Sequence, residues 1–491
     1  MIEKLDNRPW YSGITRYQWL VLLIASLGWV FDVFEGQIFV ASMKEAIPSL
    51  VDKGTSVGRI SLYNNIAFAS FLMGGALGGI VFGAISDRIG RKKTMSLTIL
   101  FYSLFTCVSA FSQEWWHLAG LRFLVAMGVG GEWAIASSMV AEVFPKRARA
   151  HVGGIFHASS VFGTYLAVAA GTFLIGNSAV SAWATNSSPD WIANFVDPAS
   201  LPWRLGFAIG VLPALLIIWI RVSLKEPESW QLAQKLSKEK PGLPMGNLVE
   251  LFRGELLRHT LVGVSLAAVG MATFWGAHIY GKNILLASVE NSILSDANPV
   301  NTPRDVTLTE TPEMEKSRKD RVAKERATIL APHKDKVKKW EMRGMFLTTT
   351  GGGLGLVLFG PLCQWIGRRP AFLLYHLGGF GCALIIFQVP LTTQQLLYAL
   401  PIFGFLTLGM HAGYAVYFPE LYPTRLRGTG TGFCFNAGRM IAAPILFAAG
   451  WMQSEYGFTL PNAATVLCFL FLLGVIVLAF APETRGRELP E

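Results

Sequence analysis

Charge is scarce in this chain. Only 15% of its 491 residues are Asp, Glu, Lys or Arg, while 52% are hydrophobic. A soluble domain carries about a quarter charged residues and less apolar content, so that class is excluded. Cysteine is sparse as well. The five, Cys107, Cys363, Cys382, Cys434 and Cys468, all fall in apolar segments. They show no metal-ligand spacing and no disulfide framework, and read as packing residues. There is no nucleotide-binding loop, zinc spacing or nucleophile motif, so no enzyme, cofactor or metal is expected. The start, "MIEKLDNRPWYSGITRYQW", is polar and lacks a signal-peptide pattern, so no cleavage is expected. The net charge of +10 does not argue for nucleic acid; in a chain this apolar it reflects basic loops beside a membrane.

What the chain has in quantity is long apolar runs. Windows of roughly 20 residues suffice to cross a bilayer core, and twelve are expected: 17–40, 61–86, 95–112, 116–143, 152–175, 204–223, 259–284, 344–366, 371–389, 394–418, 428–450 and 460–481. Basic clusters follow the even-numbered spans: Arg88, Arg91, Lys92 and Lys93; Lys146, Arg147 and Arg149; Arg368 and Arg369; Arg425 and Arg427. By the positive-inside rule both termini are cytoplasmic. The expectation is an all-α integral protein of the cell (inner) membrane, a functional monomer in contact with lipid.

The chain also repeats itself. "GGALGGIVFGAISDRIGRKK" starts at Gly74 and "GGGLGLVLFGPLCQWIGRRP" at Gly351, while "EVFPKRARA" starts at Glu142 and "ELYPTRLRG" at Glu420. Two unrelated motifs recurring at nearly one offset indicate a duplicated six-span unit, and two such halves enclose a site near the midplane. The halves are 1–223 and 259–481, followed by a tail at 482–491. The linker, 224–258, starts "LKEPESW" and runs into "NLVELFRGELLRH", read as an amphipathic cytoplasmic helix. The polar segment 285–343 is an extracytoplasmic insertion between spans 7 and 8, partly helical, and serves either as a surface extension or in gating or partner binding.

Gly83-Ala-Ile-Ser-Asp87-Arg88-Ile-Gly90-Arg91-Lys92 resembles the signature loop of the major facilitator superfamily. "PESW" (Pro227 to Trp230) and "PETRG" (Pro482 to Gly486) are similar to sugar-porter motifs. "GGEW" in span 4, "LGWVFDVFEGQIF" in span 1 and "NAGRMIAAPI" in span 11 resemble the proton symporters for organic acids, sialate and aromatic acids. The resemblance implies two six-helix halves that rock by alternating access, with proton-coupled symport of a small organic anion. Glycines repeating every fourth residue from Gly74, and again from Gly75 through Gly79 to Gly83, give span 2 faces that neighbours can approach closely. Asp87 among Arg88, Arg91 and Lys92 suits a two-state latch at the cytoplasmic edge, or a merely basic topogenic loop. Glu142, Arg147, Arg149, Glu420, Arg425 and Arg427 join that latch set. Gln364 stands at Asp87's place in the second copy, which weakens any latch there.

Charges inside a span are costly and usually face a polar cavity. Asp32 and Glu35, three apart, share one face of span 1. Arg122 opens span 4 and Glu132 lies deeper in it. In the family pattern the span-1 acid faces the span-4 arginine. A carboxylate beside arginine stays ionised, and takes a proton when the pair separates and water leaves. Asp32, with Glu35, Arg122 and Glu132, is thus the proposed proton site; a static buried salt bridge and acids exposed at the membrane interface are the alternatives. Arg439 and Asn436 in span 11, His278, Trp275 and Tyr280 in span 7, and His157 and His411 in spans 5 and 10 form a candidate substrate set. A guanidinium among aromatics suits a carboxylate. Arg439 would otherwise hold backbone carbonyls, and the histidines would otherwise satisfy local hydrogen bonds. A neutral sugar or polyol remains the nearest competing substrate, and a solute exporter or a non-transporting sensor the more distant ones.

Overall fold

The computed structural model describes residues 8–175, 177–187, 196–240, 242–297, 321–322 and 324–491, and these are helical almost throughout. The first half comprises α1 (Arg16–Ser49), α2 (Val57–Ile89), α3 (Arg91–Ser109) and α4 (Trp115–Val143), then α5 (Lys146–Ala158) continued by α6 (Ser160–Ala170) and a π-turn at Gly171–Ile175. After α7 (Ser178–Ser187) the sixth span is α8 (Leu201–Ala208), a tight 3-10 stretch holding Pro213, and α9 (Leu215–Ser223). The second half comprises α11 (Gly254–Ala297), α12 (Lys334–Ile366), α13 (Arg368–Gln388), α14 (Thr393–Gly409) continued by α15 (His411–Glu420), α16 (Arg427–Tyr456) and α17 (Leu460–Phe480). The linker helix, α10, is Glu228–Glu239. Among the described residues, ten spans are long and apolar enough to cross a membrane by length and composition. α3 and α16, with polar ends, pack alongside them.

Local signals set the ends. Thr15 and Gln18 form a capping box at the start of α1, as Thr392 and Gln395 do at the start of α14. Gly90 and Gly367 end the second span of each half at φ 111° and 108°, a conformation closed to side-chain-bearing residues. Each is covered by a carboxylate on the next helix's first N–H groups. Glu226 accepts from Arg91 and Lys92 at 2.7 and 3.2 Å, and Glu483 from Arg368 and Arg369 at 3.0 Å each. The anion at the helix N-terminus is favourable, and a Cβ at either glycine would strike it. Glu226, one residue ahead of the PESW motif, is therefore the counterpart of Glu483.

The span-2 glycines face two neighbours. A side chain at Gly74 or Gly78 would meet the α4 backbone, and one at Gly83 the backbone of α16 in the other half. α2 therefore seals on α16 across the halves, and α5 seals on α12 in the same way. Two expectations change. "NLVELFRGELLRH" is a short 3-10 turn, Leu248–Phe252, running into span 7, and the linker's helix lies upstream at α10. Of segment 285–343, residues 285–297 continue α11 and residues 334–343 open α12; residues 298–320 and 323 lie outside those described.

Candidate functional site

Four buried acids and bases of the first half form two layers. Span 1 runs antiparallel to span 4, so the acid further along α1 meets the residue nearer the start of α4. Glu35, fully buried, faces Arg122 and accepts from the Thr106 hydroxyl at 2.8 Å. Arg122 donates to Ser109 at 2.9 Å and lies 4.5 Å over the Phe207 ring. One turn deeper, Asp32 has Glu132, Glu35, Tyr102 and Arg439 as its electrostatic neighbours. Arg122, expected opposite Asp32, is thus placed opposite Glu35, and the cation nearest Asp32 comes from the other half. Neither arginine reaches ion-pair distance of its carboxylate. Asp32 is 1% exposed and neither carboxylate oxygen has a hydrogen bond among the described residues. Glu132 accepts from Thr98 at 2.8 Å on one oxygen, while the other lies bare against Gly28.

The remaining central residues are aromatic or basic. Trp133 donates its indole N–H to His157 Nδ1 at 3.1 Å and stacks on Phe435 at 3.8 Å. The Arg439 guanidinium lies 5.2 Å over that same Phe435 ring. Breaks at Ser159 and Met410 put His157 and His411 at the ends of broken helices, ring centroids 6.3 Å apart. His411 Nε2 lies 3.2 Å from the Gly270 carbonyl, and Phe274 packs on its ring at 4.9 Å. Asn436 donates to Gly432 at 2.9 Å within its own helix, leaving its Oδ1 unpartnered beside Gly79. Tyr280 is buried; the side chains of Trp275 and His278 lie outside those described. Lys282 pairs with Glu341 at 3.3 Å. A surface hollow of about 780 Å³ beside Phe111 and Trp116 contains none of these residues.

At one end of the bundle the halves are tied together. Asp87 accepts from Arg91 at 2.5 Å, from the Gly428 N–H at 3.0 Å, and from Thr429 by N–H and hydroxyl at 2.8 and 2.5 Å. Arg91 grips Glu142 with two N–H groups and donates to the Thr424 carbonyl at 3.0 Å. Arg427 closes the ring on Glu142 at 2.9 Å. Of the expected latch residues, Gly83, Asp87, Arg91, Glu142 and Arg427 meet here. Arg88 instead reaches linker carbonyls at Met245 and Gly246, Arg149 the Ala141 carbonyl, Arg147 the Ser12 carbonyl and Arg425 the Glu250 carboxylate. Lys92 takes part through its backbone N–H. Glu420 pairs with Arg368 at 2.8 Å inside the second half, and Gln364 bonds to Arg368 at 3.2 Å. That copy makes no comparable grip on span 5 among the described residues. The tail joins the ring, since the Pro490 carbonyl accepts from Arg427 at 2.9 Å and from the Thr424 N–H at 3.2 Å.

The sequence profile of the Major Facilitator Superfamily matches residues 19–289, more than half of the chain. The chain belongs to this superfamily. A second profile, "Sugar (and other) transporter", matches residues 351–491. Relatives within the superfamily include the sialic acid transporter NanX of Escherichia coli, 26% identical over 95% of both chains, and the cis,cis-muconate transport protein of Acinetobacter baylyi, 26% identical over 84% of both. The fold matches the proton:xylose symporter XylE with a TM-score of 0.66 at 16% identity, covering 96% of this chain and 98% of that one. The protein is accordingly a membrane transporter and not an enzyme.

Sequence reasoning passed over several residues of this superfamily member's interior. Thr98, Tyr102, Thr106 and Ser109 line one face of α3 toward the acids, at spacings of three and four. That stripe of hydroxyls in an apolar span was a readable signal. Trp133 adjoins Glu132 in the quoted GGEW. The Pro490 contact leaves no signal in the sequence.

Proposed function

We propose that the protein is a proton-coupled symporter of a small carboxylate-bearing metabolite, working by alternating access, with both termini cytoplasmic. The observation that carries this reading is Asp32: a buried carboxylate without a hydrogen bond, whose nearest cation, Arg439, belongs to the opposite half. A bare buried carboxylate is costly as an anion, so a cation or a proton has to meet it. When a substrate carboxylate takes the Arg439 fork, Asp32 loses its neighbouring cation and takes the proton. Binding and protonation are thereby coupled through one guanidinium. Glu35 and Arg122 form a second charge layer in which the same exchange operates within one half, and Glu132 extends the proton path. Trp133, Phe435, Phe274, His157 and His411 supply walls suited to a planar or ring-bearing acid. That muconate and sialic acid, named for two relatives, are both acids supports the same class.

Counterflow in proteoliposomes with a panel of labelled organic acids, with and without an imposed pH gradient, tests it. Accumulation of an acid against its gradient, driven by inward protons, is the expected outcome. A second reading, a neutral sugar or polyol, is favoured by the sugar-transporter profile over 351–491. Competition for uptake by sugars and not by carboxylates would select it.

A further inference from the structure

One polar feature belongs neither to the central layers nor to the latch. At the end of the bundle away from Asp87, α12 begins about ten residues before its apolar stretch. From Met345 to Ile366 the helix is apolar, about 33 Å at 1.5 Å per residue, which fills the hydrocarbon core. Arg343 therefore stands at the membrane boundary and Lys336 about 10 Å beyond it. Lys336, Lys339, Trp340 and Arg343 lie along one stripe of the helix and line a hollow of about 270 Å³. The Arg343 guanidinium sits 5.7 Å over the Trp340 ring.

Several neighbouring cations here have carboxylate partners. Glu341 takes both Lys282 and Lys338, and Glu290 takes Arg326. Lys336, Lys339 and Arg343 have no carboxylate at ion-pair distance among the described residues. Nor does the fold need the stripe. At the 277-residue offset the first half has Arg59, Leu62, Tyr63 and Ile66, and Tyr63 stacks on Trp115 at 4.1 Å instead. Below Arg343 the same face enters the bilayer with Leu354 and Leu358 exposed.

We infer that this stripe binds an anionic phospholipid by its phosphate headgroup. Three cations without a carboxylate partner among the described residues attract the negative charge of a phosphate headgroup. A tryptophan at the headgroup level is where its half-apolar ring is favoured. Leu354 and Leu358 give an acyl chain apolar surface to follow, from which a soluble anion would gain nothing.

The test uses the full chain in detergent, titrated with phosphatidylglycerol and with phosphatidylcholine, with bound lipid counted by native mass spectrometry. The unaltered protein should retain phosphatidylglycerol preferentially. Each cation near an anionic headgroup contributes roughly a five-fold factor. The Lys336→Gln, Lys339→Gln, Arg343→Gln combination should therefore lose that preference by on the order of a hundred-fold at low salt. Lys53→Gln, an exposed lysine at the same end of the bundle, should leave it intact. If the triple variant does not fold, Lys339→Gln alone should show the single five-fold step. An unchanged preference in the triple variant overturns the inference, and so does an equal loss with Lys53→Gln. Competition by millimolar inorganic phosphate, with both lipids retained alike, would assign the hollow to a soluble anion and also overturn it.

Discussion

Asp87 of the first half holds Thr429 of the second twice over: the same carboxylate oxygen accepts the Thr429 N–H at 2.8 Å and its hydroxyl at 2.5 Å. The contact crosses the seam between α2 and α16, and it can exist only while this end is shut. Its removal should act on the closed state alone.

Asp87→Asn keeps one acceptor oxygen and turns an N–H toward donors. Hydrogen bonds to charged groups are worth about 1.5–3 kcal/mol, so the closed state should weaken by about 2 kcal/mol, roughly thirty-fold in population. Turnover should fall more than substrate affinity, because the central residues lie elsewhere in the bundle. The rate and KM of uptake in proteoliposomes separate the two, and a large KM change at normal turnover would argue against a latch.

Asp32→Asn removes the group proposed to exchange a proton. Uphill accumulation under a proton gradient should vanish, while substrate counterflow persists at a reduced rate, since exchange needs binding without net proton release. Both activities are read in the same vesicles. Retained accumulation would take Asp32 out of the coupling step.

Arg439→Lys keeps the charge and loses the fork. A carboxylate substrate should bind about 1–3 kcal/mol more weakly, and its amide analogue should lose less. Titration of both ligands against both proteins decides it. Equal losses would mean that Arg439 supports the helices, and would turn attention to a neutral solute.

Removal of residues 487–491 takes away the Pro490 carbonyl that Arg427 and Thr424 share. One hydrogen bond from a buried arginine and one from a backbone N–H contribute about 1–3 kcal/mol together. The truncated protein should melt earlier and expose a cysteine placed at position 429 to a soluble maleimide more rapidly. Identical labelling with and without the tail would show that the tail only rests on the ring.

The repeat and the span pattern were legible because each rests on local composition: glycines every fourth residue, basic clusters after alternate spans. The pairing inside the bundle was less so. Asp32 and Glu35 share a helix face, and spacing alone cannot say which of them meets Arg122. The antiparallel course of spans 1 and 4 decides it, and that information was in the sequence once the spans were counted. Contacts between residues distant in sequence, such as Arg439 near Asp32 or Pro490 on Arg427, depend on how the two halves meet, for which the sequence has no periodic signal.

Gln364, standing where the duplicated motif would have a second Asp87, makes the mouth lopsided. It is a door bolted on one jamb. The α2–α16 edge is held by charge, while the α5–α12 edge is held by close backbone contact at Gly360 against Ala150. Close contact decays within an ångström of separation, whereas attraction between charges persists over several. Under the proposed alternating access the mouth should therefore part first along α5 and α12 and swing about the opposite edge, so that a bundle built by duplication would move without the symmetry of its origin.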